Sequence, residues 1–349
     1  MKQIKVAFFD AKEYDREFFD RANKNYGFKI KYFSERLNKD TAEMAAGFDA
    51  VCAFVNDSVD KTAVEKLKKS GTGLVALRSA GYNNVDLKAA FGKVHLVRVP
   101  AYSPGAVAEH TVALMLSLNR KIHKAYYRTR DNNFSIHGFI GFDMKGKTAG
   151  VIGTGKIGRE VAGILSGFGM KILAYDKHPD EGFKAEKKGV YTTLDRLYRE
   201  SDIITLHCPL NKDTYHLIGG RAISRMKKGV MLINTGRGSL IDAKALIKGL
   251  KTGKIGYAGL DVYEEEDKYF FEDFSGRVMG DDVLARLLTF GNVLITSHQG
   301  FFTAEALQNI ARTTMENIKK YFEKGKLENE ICYKCTTDEC NKKRKGRCF

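Results

Sequence analysis

Short apolar runs recur at regular intervals along the first hundred positions: IKVAFF (4–9), DAVCAF (49–54), LVALRS (74–79) and VHLVRV (94–99). They are continuous rather than alternating, as strands buried on both faces of a parallel sheet require. Helical stretches fall between them, for example 60–69, where Asp60 suits the N-cap position. Strands alternating with helices predict a parallel sheet covered on both sides. A second series begins near Lys147: TAGVIG (148–153), KILAYD (171–176), DIITLH (202–207), VMLINT (230–235), YAGLD (257–261) and VLITS (293–297).

Between the two series stands Val99-Pro100-Ala101-Tyr102-Ser103-Pro104, which holds two of the chain's four prolines. Proline disfavours helix at the residue before it, so this stretch reads as a crossover between domains. A helix follows, with Ser103 and Pro104 as N-cap and first residue, carrying Ala108, Val112, Met115 and Leu116 towards Arg120. Beyond His298 a further helix, 303–321, leads back to the first domain. The expected fold class is therefore α/β, with two doubly wound parallel-sheet (Rossmann-like) domains. A cofactor domain, 102–298, is inserted in a discontinuous substrate domain, 1–101 and 299–331, and 332–349 forms a tail. The length agrees: 349 residues exceed the roughly 250–300 at which a single core stops growing.

Composition narrows the partners. The formal charge is +16, but the lysines are spread along the chain and often adjoin acids, as in Glu65-Lys66-Leu67-Lys68. That is a solvated basic surface rather than a nucleic-acid stripe. The N-terminal run VAFF is too short for a signal segment, and no apolar stretch approaches the ~18 residues a membrane helix needs. A cytoplasmic protein without a membrane partner is the expectation. Cys52 and Cys208 lie in apolar, strand-like contexts and read as buried thiols.

Candidate chemistry starts at Val151-Ile152-Gly153-Thr154-Gly155-Lys156-Ile157-Gly158, which fits G-x-G-x-x-G. The motif is weak alone, but here it follows an apolar strand and opens an amphipathic helix containing Val161, Ile164 and Leu165. Gly153 permits the tight turn, Gly155 lets backbone approach a pyrophosphate, and Gly158 lets helix pack on strand. The helix N-terminus then offers free N–H groups and partial positive charge to phosphates. Asp176 ends the next strand, eighteen residues beyond Gly158. A carboxylate there accepts from ribose hydroxyls and repels a 2′-phosphate, which favours NAD over NADP.

Ligands of doubly wound sheets bind beyond the carboxyl ends of the strands. After VMLINT comes Gly236-Arg237-Gly238. After YAGLD come Val262-Tyr263-Glu264-Glu265-Glu266. After VLITS comes His298. One arginine, one acid and one histidine thus project at the same sheet edge. Keto-acid reduction needs this set: Arg237 forks a carboxylate and polarises the neighbouring carbonyl. His298 delivers a proton to the carbonyl oxygen, and a carboxylate beside the histidine orients it. Spacing alone does not choose among the three adjacent acids.

These stretches, with LRSAGYNNVDL (77–87), RVPAYSPGAVAEHT (98–111), LHCPL (206–210), INTGRG (233–238), GLDVYEEE (259–266) and SHQGFFTAEAL (297–307), carry a resemblance over about residues 1–330. The chain resembles the D-isomer-specific 2-hydroxyacid dehydrogenases, and within them the fermentative D-lactate dehydrogenases. The resemblance implies Arg237 as the substrate-binding arginine, His298 as acid/base and Glu266 as its partner. It implies NAD contacts from Lys156, Ile157, Asp176, Cys208, Pro209, Thr235, Gly236 and Asp261. It places Ala80 and Gly81 N–H groups on the substrate carboxylate, with Tyr102 close by, and implies D stereochemistry and a homodimer or homotetramer with the helix after Pro104 as interface. Gly236 stands where serine is common in the family.

Phe54, Tyr102, Phe301 and Phe302 are candidates to wall the pocket. Such bulk favours pyruvate, giving D-lactate, over the larger phenylpyruvate or 2-oxobutyrate. An NAD-sensing corepressor-like module is the remote alternative. The tail lies outside the resemblance. Its Cys332-x2-Cys335-x4-Cys340-x7-Cys348 admits a zinc or iron–sulfur site, but with lysines between the cysteines and no histidine the expectation is a disordered basic tail with free thiols.

Overall fold

The computed structural model describes residues 3–185, 189–335 and 339–349. The chain divides into two compact units, Met1–Ser103 with Phe302–Phe349, and Pro104–Phe301. The tail is thus not a free appendage. Its described residues belong to the first unit.

The first unit holds a five-stranded sheet: β1 (Lys5–Phe8), β2 (Lys29–Tyr32), β3 (Ala50–Ala53), β4 (Leu74–Leu77) and β5 (His95–Val97), in the order β2-β1-β3-β4-β5. Every pairing is parallel. All residues of β3 and β4 are buried, which explains their unbroken apolar runs. The sequence reading passed over β2. It is an edge strand reading Lys-Ile-Lys-Tyr, with its lysines outward, so no apolar run marks it. Asp60 caps the Lys61–Lys69 helix by accepting from the Ala63 N–H at 2.8 Å. Thr303 caps the Ala304–Phe322 helix at Ala306 N–H. That helix buries Ala306, Leu307, Ile310, Ala311, Met315 and Ile318, a stripe at helical spacing.

The second unit holds seven parallel strands: β6 (Thr148–Ile152), β7 (Lys171–Tyr175), β8 (Val190–Tyr191), β9 (Ile203–Leu206), β10 (Val230–Asn234), β11 (Ile255–Leu260) and β12 (Val293–Ile295). Their order is β12-β11-β10-β9-β6-β7-β8. The chain runs outward from β6 in one direction, returns at β9 and builds the other half, so the switch point lies between β6 and β9. In β10, Val230 and Leu232 join one core while Met231 and Ile233 join the core on the opposite face. Among the described residues, no helix is long and apolar enough to cross a membrane.

Candidate active site

The glycine loop sits at the carboxyl end of β6. Gly153 has φ 95°, and a Cβ there would stand 2.5 Å from the Cys208 backbone nitrogen. Glycine is required both by the left-handed backbone and by the close approach of the β9 end. A Cβ on Gly158 would overlap the carbonyl oxygen of Gly153, so helix and strand pack only because none is present. Gly155 is the N-cap of the Lys156–Gly167 helix, and no side chain caps it.

Asp176 follows β7. One of its oxygens accepts from Thr154 N–H at 2.7 Å and from the Thr154 hydroxyl at 3.1 Å, and the other from His178 N–H at 2.9 Å. The acid is thereby held against the second residue of the glycine loop. Thr235, after β10, is buried and shares a hydroxyl hydrogen bond of 2.9 Å with Thr111. Burial pushes the Cys208 thiol up to about 11 and that of Cys52 to about 12, so both stay protonated.

The turn after β10 is pinned by Asn234, whose amide oxygen accepts from Gly236 N–H at 3.0 Å and whose NH2 donates to the Arg237 carbonyl at 2.9 Å. Arg237 itself is half-buried, its guanidinium donating to the Gly236 carbonyl at 2.7 Å.

His298 has φ 55°, a left-handed conformation uncommon for a histidine. Asp261 holds it there. The Asp261 carbonyl accepts from His298 N–H at 2.8 Å. Its carboxylate, 1% exposed, accepts from the Thr296 hydroxyl, Gln299 N–H and Gly300 N–H at 2.5, 2.9 and 2.8 Å. This carboxylate clamps the turn that presents the histidine.

Three acids follow β11, and the structure separates them. Glu264 pairs with His216 and accepts from Ala243 N–H. Glu265 pairs with Lys268 at 3.2 Å. Glu266 places one oxygen 2.8 Å from His298 Nδ1 and accepts Tyr263 N–H at 2.8 Å on the other. Both side chains are largely buried, at 18% and 15% exposure. Nδ1 is thereby committed to a carboxylate.

Of the residues expected on the first unit, Ala80 and Gly81 have their carbonyls engaged, by Arg98 at 2.6 Å and the Ser79 hydroxyl at 2.8 Å. The Tyr102 carbonyl accepts from Asn309. Phe54 is buried with its ring 4.6 Å from the Arg78 guanidinium. Phe302 is half-exposed against Tyr14. Phe301, on the second unit, is buried.

Two residues escaped the sequence reading. Arg78 is fully buried against Asp15 and between the rings of Phe8 and Phe54. The signal was a lone arginine inside the apolar run LVALRS. His207, beside the glycine loop at the end of β9, shares a hydrogen bond with Thr205, and burial pushes its imidazole down to about 3. It is neutral near pH 7, and nothing in the local sequence distinguishes it from a surface histidine.

Residues 112–300 match the family model described as the D-isomer specific 2-hydroxyacid dehydrogenase, NAD binding domain. A 2-hydroxyacid dehydrogenase homolog of Haemophilus influenzae is 52% identical over 330 residues, 94% of this chain and 99% of that protein. The D-lactate dehydrogenase of Escherichia coli is 51% identical over 332 residues, 94% of this chain and 100% of its own. Among solved structures, the pyruvate reductase of Chlamydomonas reinhardtii is similar with a TM-score of 0.88 at 43% identity, covering 94% of this chain and 98% of that one.

Proposed function

The chain belongs to the D-isomer specific 2-hydroxyacid dehydrogenases and is an NAD-dependent oxidoreductase, and we propose that it interconverts pyruvate and D-lactate. The observation that carries this reading is the His298–Glu266 pair, which stands with Arg237 on turns that follow carboxyl ends of one NAD-binding sheet. The relatives named for D-lactate and pyruvate support the substrate. Bound NADH supplies the hydride. Arg237 binds the carboxylate of the keto acid and polarises its carbonyl. His298 Nε2 donates the proton to the forming alkoxide, and Glu266 stabilises the cationic ring that precedes transfer and fixes its orientation. The cofactor is held by Gly153, Gly155, Lys156, Ile157 and Gly158 at the helix N-terminus, with Asp176 on the adenosine ribose and Cys208, Pro209, Thr235 and Gly236 alongside. The Ala80 and Gly81 N–H groups, whose carbonyls are already engaged, are the proposed donors to the substrate carboxylate.

A panel of pyruvate, 2-oxobutyrate and phenylpyruvate, each with NADH and NADPH, tests class, substrate and cofactor together. We expect the highest kcat/KM for pyruvate with NADH, and a loss of about 10²–10⁴-fold in His298→Gln. A preference for phenylpyruvate overturns the substrate. Full activity in the variant overturns the acid/base assignment.

We also propose a homo-oligomer. The Pro104–Arg120 helix, expected as the interface, buries its apolar side chains within its own unit. Six of the exposed large apolar residues come just after it: Ile122, Tyr126, Tyr127, Phe134, Ile136 and Ile140. Such a patch is what a second copy of this chain would cover. Sedimentation equilibrium giving a monomer at micromolar concentration would remove the proposal.

A further inference from the structure

The four cysteines of the last eighteen residues come together in space. Five of their Sγ–Sγ separations are 3.6–3.8 Å: Cys332 to Cys335 and Cys340, Cys335 to Cys340 and Cys348, and Cys340 to Cys348. All four sulfurs lie within 4.8 Å of one another. A disulfide needs about 2.0 Å, so none is formed. A tetrahedral ion with metal–sulfur bonds of about 2.3 Å sets its four sulfurs about 3.8 Å apart. An iron–sulfur cluster puts several irons between its cysteines and needs wider spacing than this. Soft thiolates in a closed tetrahedron select zinc. We propose that Cys332, Cys335, Cys340 and Cys348 bind one structural Zn²⁺.

The surroundings fit that ion. The Cys332 N–H donates to Cys335 Sγ at 3.2 Å, which stabilises a thiolate in the Cys-x-x-Cys turn. Four thiolates around a divalent ion leave net negative charge. Lys326, Lys342 and Lys343, with one acid, Glu328, line the same hollow as Cys335 and Cys340, and their excess positive charge offsets it. The basic residues that first suggested a free tail are in part counter-charges of the site.

The site also has a mechanical job. β5 is an edge strand, whose unpaired groups need covering. The chain after Gly325 supplies the cover: Ile331 N–H donates to Leu96 at 2.9 Å, Arg98 N–H to Asn329 at 3.1 Å, and Glu330 bridges Val97 in antiparallel sense. The chain end returns to the same place. Buried Glu330 accepts the Cys348 N–H at 2.5 Å and contacts His95 at 2.5 Å, and the Phe349 ring stacks on His95 at 4.1 Å. Zinc closes the loop from Cys332 to Cys348 and thereby fastens the segment to the sheet edge.

The test uses the full-length, untagged chain purified under reducing conditions without chelator. Elemental analysis should give one zinc per chain, retained in Cys52→Ala and lost in Cys340→Ser and Cys348→Ser. Replacement by Co²⁺ should give the intense visible bands of a tetrahedral tetrathiolate. Zinc removal should speed tryptic cleavage after Lys343 and Lys345 by roughly ten-fold or more, since cleavage follows local opening. Failure of the wild-type protein to carry or take up zinc overturns the proposal, as does iron–sulfur absorbance. Zinc retained in both serine variants overturns it as well.

Discussion

Each sheet takes its first strand, β1 or β6, into a helix by a short turn, and the two turns are finished in different ways. After β6 the turn is Gly153-Thr154-Gly155, in which Thr154 donates its N–H and hydroxyl to Asp176. The N-cap of the helix is Gly155, which brings no side-chain cap. After β1 the turn is shut. Asp10 takes a left-handed φ of 48°, and its carbonyl accepts from Arg78 at 2.8 Å. Asp15 reaches back to accept Lys12 N–H at 3.1 Å. A strand–helix turn becomes an anion site only where the protein leaves its own donors unspent. The first unit gives the Lys12 N–H to Asp15 and buries Arg78 against that acid.

The largest expected effect comes from removing that arginine. Burial raises Asp15, and it pushes Asp57 up to about 7 against the pull of Arg78. Arg78→Met leaves these acids uncompensated and should cost about 3–5 kcal/mol of stability by denaturant unfolding. The double variant with Asp15→Asn should recover part of it. A loss below about 1 kcal/mol would mean that the closed turn does not depend on Arg78. Next is the open turn. Gly158→Ala forces a Cβ onto the Gly153 carbonyl, at an overpacking cost of about 1–3 kcal/mol. KM for NADH should rise roughly ten-fold or more, and an unchanged value would remove the loop from cofactor binding.

The smallest effect concerns His207, which stands beside the open turn. Its folded value of about 3 lies below the ordinary 6.5. Between those limits the unfolded chain binds a proton that the folded chain refuses, so this contribution to stability is lost as pH falls from about 6.5 towards 3. The slope is at most about 1.4 kcal/mol per pH unit. His207→Gln should flatten the acid limb of stability against pH, and an identical limb would assign the acid sensitivity elsewhere.

Much of this molecule was determined locally. Strands buried on both faces must be continuously apolar, so nearly all were legible, and β2 was not because an edge strand with outward lysines carries no such run. The glycine loop was legible because its geometry needs glycine at fixed spacing. Arg237 and His298 were legible because strand ends of one parallel sheet share an edge. Distances between residues far apart in the chain were decided only by the tertiary structure. Spacing does not separate three adjacent glutamates and only the resemblance pointed to Glu266; packing gives Glu266 to His298 while Glu264 and Glu265 go to His216 and Lys268. Asp261 became the clamp of the histidine turn because β11 and β12 are neighbours. Four cysteines among lysines read as a loose tail until the edge of β5 gathered them. Periodicity fixes which face a residue takes, but only the folded chain decides what it meets there.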